Sequence, residues 1–175
     1  GEYSNLTGRT ECFPCLAGTA QVQEGSIDCD DCGVGTFTAT NGSETCTQCD
    51  TGTFANETGS TVCDDCVAGY YAPSKGAEDC TACPTGEYQD DEGQNVCLDC
   101  PAGEFNNLTG QVACFPCLAG TATPSKAQTV CVDCEVGKFA DLPGSEICDL
   151  CPAGEYNNLT GRTECFPCLA GTAQV

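Results

Sequence analysis

Across 175 residues the chain carries 26 acidic and 5 basic side chains, no histidine, methionine or tryptophan, and a net charge of −21. That balance argues against nucleic acid as a partner, since phosphate binding needs clustered Lys and Arg, and it removes the usual general base and the usual non-thiolate zinc ligand. So acidic a chain with so little apolar surface would fall among disordered sequences, but its 20 cysteines place it among disulfide scaffolds, where cross-links replace a conventional core.

The cysteines come in pairs, at 12/15, 29/32, 46/49, 63/66, 80/83, 97/100, 114/117, 131/134, 148/151 and 165/168, and each first cysteine follows the last by 17 residues without exception. A fixed period outranks any local signal. The module reads C-x-x-C-x-x-G-x-(F/Y)-x-x-x-x-G-x-x-x. Its first glycine is present in every copy, from Gly1 and Gly18 to Gly154 and Gly171; its second, seven residues on, is present in all copies but one, where Ala127 stands. Two glycines in fixed phase predict two bends with positive φ. The Thr, Tyr, Phe, Ala and Asn between them predict a short strand, a turn and a short return. No stretch keeps a 3.6-residue apolar rhythm, so no helix is expected. The fold class expected is small and disulfide-rich: an elongated, solenoid-like array of 17-residue modules with short β-hairpins, each contacting mainly its neighbours.

A second period is laid over the first. Glycosylation sequons stand at Asn5, Asn56, Asn107 and Asn158, each 51 residues, or three modules, from the last. If three modules complete about one turn, these four line one side. A fifth sequon, Asn41, is out of phase at an Asn-Gly turn and is the weaker candidate. The segment CFPCLAGTA recurs at 12, 114 and 165, while CDDCVAGYY replaces it at 63. The last 22 residues repeat the first 22 with one change, Ser4 against Asn157. Residues 1–175 therefore read as one continuous array of ten C-x-x-C modules, period 17 and superperiod 51, cut from a longer repeat protein.

The slot five residues after the second cysteine holds a ring at Phe37, Phe54, Tyr71, Tyr88, Phe105, Phe139 and Tyr156, and alanine at Ala20, Ala122 and Ala173. The alanine modules are those with Phe between their cysteines, at Phe13, Phe115 and Phe166. This predicts one ring per module covering the disulfide, delivered from either of two backbone positions.

Three chemistries suit a repeated C-x-x-C. Four-thiolate zinc fits the spacing, C-x-x-C, 13 residues, C-x-x-C, but not an acidic, sequon-bearing chain. Redox catalysis calls for a thioredoxin-like alternation of strands and helices, which is absent. Structural disulfides remain. Pairing within each C-x-x-C ties nothing together. Pairing a second cysteine with the next module's first closes a loop of about 15 residues, worth ~3 kcal/mol by the chain-entropy estimate, and pairing a first cysteine with the next module's second is worth nearly the same. Energy alone leaves these two open.

The segments CPAGEYNNLTGRTEC (151–165) and CPTGEYQDDEGQNVC (83–97) resemble the first loop of tumour necrosis factor receptor cysteine-rich modules. The whole array is similar to ephrin-receptor-like cysteine-rich repeats, found in receptor ectodomains and in long arrays on protist surface proteins. The alanine modules lack the Tyr of that pattern, and most modules lack the Pro after the second cysteine. The resemblance implies the pairs Cys15–Cys29, Cys32–Cys46, Cys49–Cys63, Cys66–Cys80, Cys83–Cys97, Cys100–Cys114, Cys117–Cys131, Cys134–Cys148 and Cys151–Cys165. Cys12 and Cys168 are left over, to bond within a longer chain or between molecules.

Acids cluster at Asp28, Asp30 and Asp31, at Asp64 and Asp65, and at Asp90, Asp91 and Glu92. They show no EF-hand spacing and recur at no common phase, so they read as a solvated, self-repelling surface, not as calcium ligands. No apolar run approaches the ~20 residues of a membrane helix, so no span is expected in this segment. No enzyme, cofactor or metal site is expected, apart from N-linked glycans. The function expected is an extracellular, secreted or cell-surface structural glycoprotein that builds a fibre or appendage by self-association or end-to-end continuation of the same chain. The alternative is a ligand-binding or stalk ectodomain of a receptor or surface antigen. Receptor sites draw on Arg and aromatic anchors, and Arg is limited here to the equivalent Arg9 and Arg162.

Overall fold

The computed structural model describes residues 1–169; Gly171 and Ala173 lie outside the described residues. The chain forms two compact units, residues 1–82 with 91–97, and residues 83–90 with those from 98 onward. Among the described residues there is no helix, and every named strand has two residues.

In the first unit β1 (Glu2–Tyr3) pairs antiparallel with β2 (Phe13–Pro14), β3 (Thr19–Ala20) with β4 (Asp30–Asp31) and β5 (Thr36–Phe37) with β6 (Thr47–Gln48). The same unit pairs β7 (Thr53–Phe54) with β8 (Asp64–Asp65) and β9 (Tyr70–Tyr71) with β10 (Thr81–Ala82). The second unit repeats the arrangement. There β11 (Glu87–Tyr88) pairs with β12 (Leu98–Asp99), β13 (Glu104–Phe105) with β14 (Phe115–Pro116) and β15 (Thr121–Ala122) with β16 (Val132–Asp133). Its last hairpins are β17 (Lys138–Phe139) with β18 (Asp149–Leu150) and β19 (Glu155–Tyr156) with β20 (Phe166–Pro167). The array of short hairpins agrees with the fold class read from the sequence.

The return strand is not where the sequence placed it. It lies beyond the second glycine, between the two cysteines of the next module: β6 sits between Cys46 and Cys49, with Thr36 opposite Gln48 and Phe37 opposite Thr47. The physical reason is the cross-link. Cys32 is bonded to Cys46, and this sets the residues after Cys46 alongside those after Gly35. A two-residue hairpin alone is not stable in water; here the hairpins after β1–β2 are held closed covalently, while β1–β2 lies beside the free Cys12. Bridges in the first unit join Cys15–Cys29, Cys32–Cys46, Cys49–Cys63 and Cys66–Cys80. In the second they join Cys100–Cys114, Cys117–Cys131, Cys134–Cys148 and Cys151–Cys165. Cys83 and Cys97 are also disulfide-bonded.

The buried interior is made of sulfur and small side chains. From Cys15 to Cys134 the second cysteine of the module is enclosed, fully so at Cys32 and Cys117. Enclosure demands that its backbone groups be paired. The Cys117 N–H donates to the Gly103 carbonyl (2.8 Å), and the Cys117 carbonyl accepts from the Gly144 N–H (2.8 Å). Beside it lies the residue just after the aromatic slot, buried at Thr38, Ala55 and Ala72 in the first unit and at Asn106, Thr123, Ala140 and Asn157 in the second.

Contact also reaches past the nearest neighbour. The Gly120 N–H donates to the Ala140 carbonyl (2.8 Å), in the next module. The Gly120 α-carbon presses against the Gly161 carbonyl, 41 residues on and two modules away. Gly18 meets Gly59 in the same way in the first unit. Neighbour-only contact is therefore too simple a description.

The rings do not compensate for one another as expected. Phe115 does not serve the module of Ala122. It stands opposite Phe105 in the preceding hairpin, ring centroids 6.3 Å apart. Tyr3 with Phe13, and Tyr156 with Phe166, make the same cross-strand pair at 6.1 and 6.4 Å. These three hairpins have two rings, while β3–β4 and β15–β16 have none. A residue between the cysteines belongs to the return strand of the previous hairpin, so register assigns its ring there.

Candidate functional site

Four sequon asparagines, Asn5, Asn56, Asn107 and Asn158, occupy one position of the module, the second after the aromatic slot, and all four are exposed. In the second unit the preceding side chain fixes the turn. Asn106 donates from Nδ2 to the Glu87 carbonyl (2.8 Å) and accepts at Oδ1 from the Leu108 N–H (3.1 Å). Asn157 does the same with the Lys138 carbonyl (2.8 Å) and the Leu159 N–H (3.0 Å). One asparagine of the pair is consumed inside and its neighbour is turned outward. In the first unit Ala55, also buried, precedes Asn56, and Ser4 precedes Asn5.

Asn41 differs. It is exposed, but its Oδ1 accepts a hydrogen bond from the Ala17 N–H (2.9 Å), in the preceding module. Its side chain already ties two modules together.

Cys12, exposed, and Cys168, partly buried, are free thiols. The guanidinium of Arg9 lies 4.8 Å over the Phe13 ring, and that of Arg162 lies 4.8 Å over Phe166. Lys75 pairs with Asp50 (2.6 Å) and Lys138 with Glu135 (2.9 Å). The hydrogen bond from Lys138, together with its charge, holds the Glu135 carboxyl below the ordinary carboxylate range.

The acidic clusters are dispersed. Asp30 and Asp31 lie on β4 and Asp64 and Asp65 on β8, all exposed. Among the described residues no group of three or more Cys, Asp or Glu is arranged to hold a metal ion, and no helix is long and apolar enough to cross a membrane.

The buried position after the aromatic slot escaped the sequence reading. A signal for it exists: Ser4, Gln21, Thr38, Ala55, Ala72, Gln89, Asn106, Thr123, Ala140 and Asn157 are all uncharged in a chain with 26 acids. The single change between the first and last 22 residues, Ser4 against Asn157, falls there too.

No curated protein matches the chain. A family model described as tyrosine-protein kinase ephrin type A/B receptor-like matches four times, over residues 1–49, 35–79, 69–110 and 86–134. These repeats are a ligand-binding or structural kind of module, not a catalytic one. Hairpins, disulfide spacing and the matched residues agree: the chain belongs to the ephrin-receptor-like family of cysteine-rich tandem repeats.

Proposed function

We propose that this chain is an extracellular, N-glycosylated structural protein that builds a fibre or surface appendage, by end-to-end continuation of the array or by self-association. One observation carries the reading: within each of the two units successive modules are joined in one way. The second-cysteine N–H donates to the first-glycine carbonyl of the preceding module, as Cys32 does to Gly18 and Cys134 to Gly120. A uniform joint of this kind favours a mechanical element over a single recognition site. Glycans on Asn5, Asn56, Asn107 and Asn158 would shield the faces that carry them. Electron microscopy of the native material tests this: long uniform fibres support it, and short particles anchored at a membrane overturn it. Non-reducing peptide mapping by mass spectrometry reports sequon occupancy and all bridges together.

A second reading, a receptor or surface-antigen ectodomain, is favoured by the family itself, which is named for receptors.

A further inference from the structure

The ring-free hairpin β15–β16 borders an open groove of about 300 Å³. Ala122 stands where neighbouring modules carry Phe105 and Phe139, so the ring that would fill this space is missing. Val132 and Ile147 line the groove with most of their side chains exposed. Asp133, Glu135 and Glu146 stand around it. The one cation at the groove, Lys138, is already held by Glu135.

We propose that this groove is a docking site for a cationic segment of a different protein, carrying a bulky apolar side chain that takes the place of the missing ring. The volume and lining call for an aromatic or large aliphatic group. The surrounding carboxylates, in a chain of net charge −21, call for Lys or Arg on either side of it. A second copy of this chain is a poor occupant. Arg9 and Arg162 are stacked on their own phenylalanines, and Lys75 and Lys138 are in ion pairs, which leaves only Lys126 unengaged among the described cations. The proposal goes beyond the structural reading above and does not depend on it.

The test uses the full chain and three fluorescein-labelled peptides, alternating lysine with phenylalanine, lysine with serine, and glutamate with phenylalanine, read by fluorescence anisotropy. The lysine–phenylalanine peptide binds. Ala122→Phe, which restores the ring of the sister modules, weakens it about tenfold or more. Glu146→Lys, a surface change that leaves the hairpins intact, weakens it about threefold and lowers its sensitivity to added salt. Equal binding of the lysine–serine peptide would reduce the effect to bulk charge and overturn the proposal. So would wild-type affinity in both variants. Sedimentation of the peptide-free chain covers the remaining occupant: self-association abolished by Ala122→Phe would assign the groove to a second copy and overturn the proposal in that way.

Discussion

Gly120 and Ala127 mark the two bends of one module, seven residues apart, and both adopt the left-handed backbone, at φ 87° and 57°. One position tolerates a side chain and the other does not. At Gly120 a β-carbon would fall deep inside van der Waals contact with the Gly161 carbonyl, in a stretch of backbone held by the Gly161 N–H, which donates to the Cys134 carbonyl (2.8 Å). At the equivalent of Ala127 in the next module, Gly144, the nearest atom to a β-carbon is Pro116 Cβ at 3.8 Å. The first bend is constrained by conformation and by a close approach; the second is constrained by conformation alone. Ala127 is the sole non-glycine residue with positive φ among the described residues, and it sits at the bend that can accept it.

The sharpest way to break this contrast is Gly120→Ala. It adds a clash with main chain to a strained φ and should cost about 3 kcal/mol or more in urea unfolding without reductant. Gly144→Ala tests the second bend alone and should cost about 1 kcal/mol, the penalty of a left-handed alanine. Equal losses from the two would show that the next-but-one contact contributes nothing. Phe115→Ala, in neither bend, removes the exposed cross-strand pair with Phe105 and should also cost about 1 kcal/mol or less. Ala127→Gly relieves the strained alanine but frees the unfolded chain, so a gain of about half a kcal/mol is expected. The smallest effect is electrostatic. Glu135 has a lower pKa folded than unfolded, so its pairing with Lys138 stabilises above the unfolded pKa and is lost as pH falls through the folded one. At full exposure this is a minor slope, and Lys138→Gln should flatten it in acid titration of the melting midpoint.

Much of the fold is legible because period and chemistry coincide: cysteines fix the loop length, glycines fix the bends, and the residues beside the first bend suit strands. Two features are not. The return strand lies outside the segment bounded by the glycines, because strand pairing here follows the disulfide and not a hairpin signal in the local sequence. The ring pairing fails for the same reason: Phe115 is grouped by sequence with Ala122 but by register with Phe105. The buried position at Thr38, Asn106 and Asn157 hides because it mixes alanine, as at Ala55 and Ala140, with polar side chains. Where an asparagine stands there it is held by hydrogen bonds, as at Asn106 to Glu87, and an absence of charge is a weaker signal than a presence of leucine.

The 41-residue contact between the glycines has a consequence for how such a chain can change length. A single inserted residue would carry every later module out of step with the two behind it, misplacing at once a bend, a cystine and a carbonyl that must meet a bare α-carbon. Only whole multiples of 17 preserve the gearing, so the array can be lengthened or shortened by the tooth but not by the fraction of a tooth.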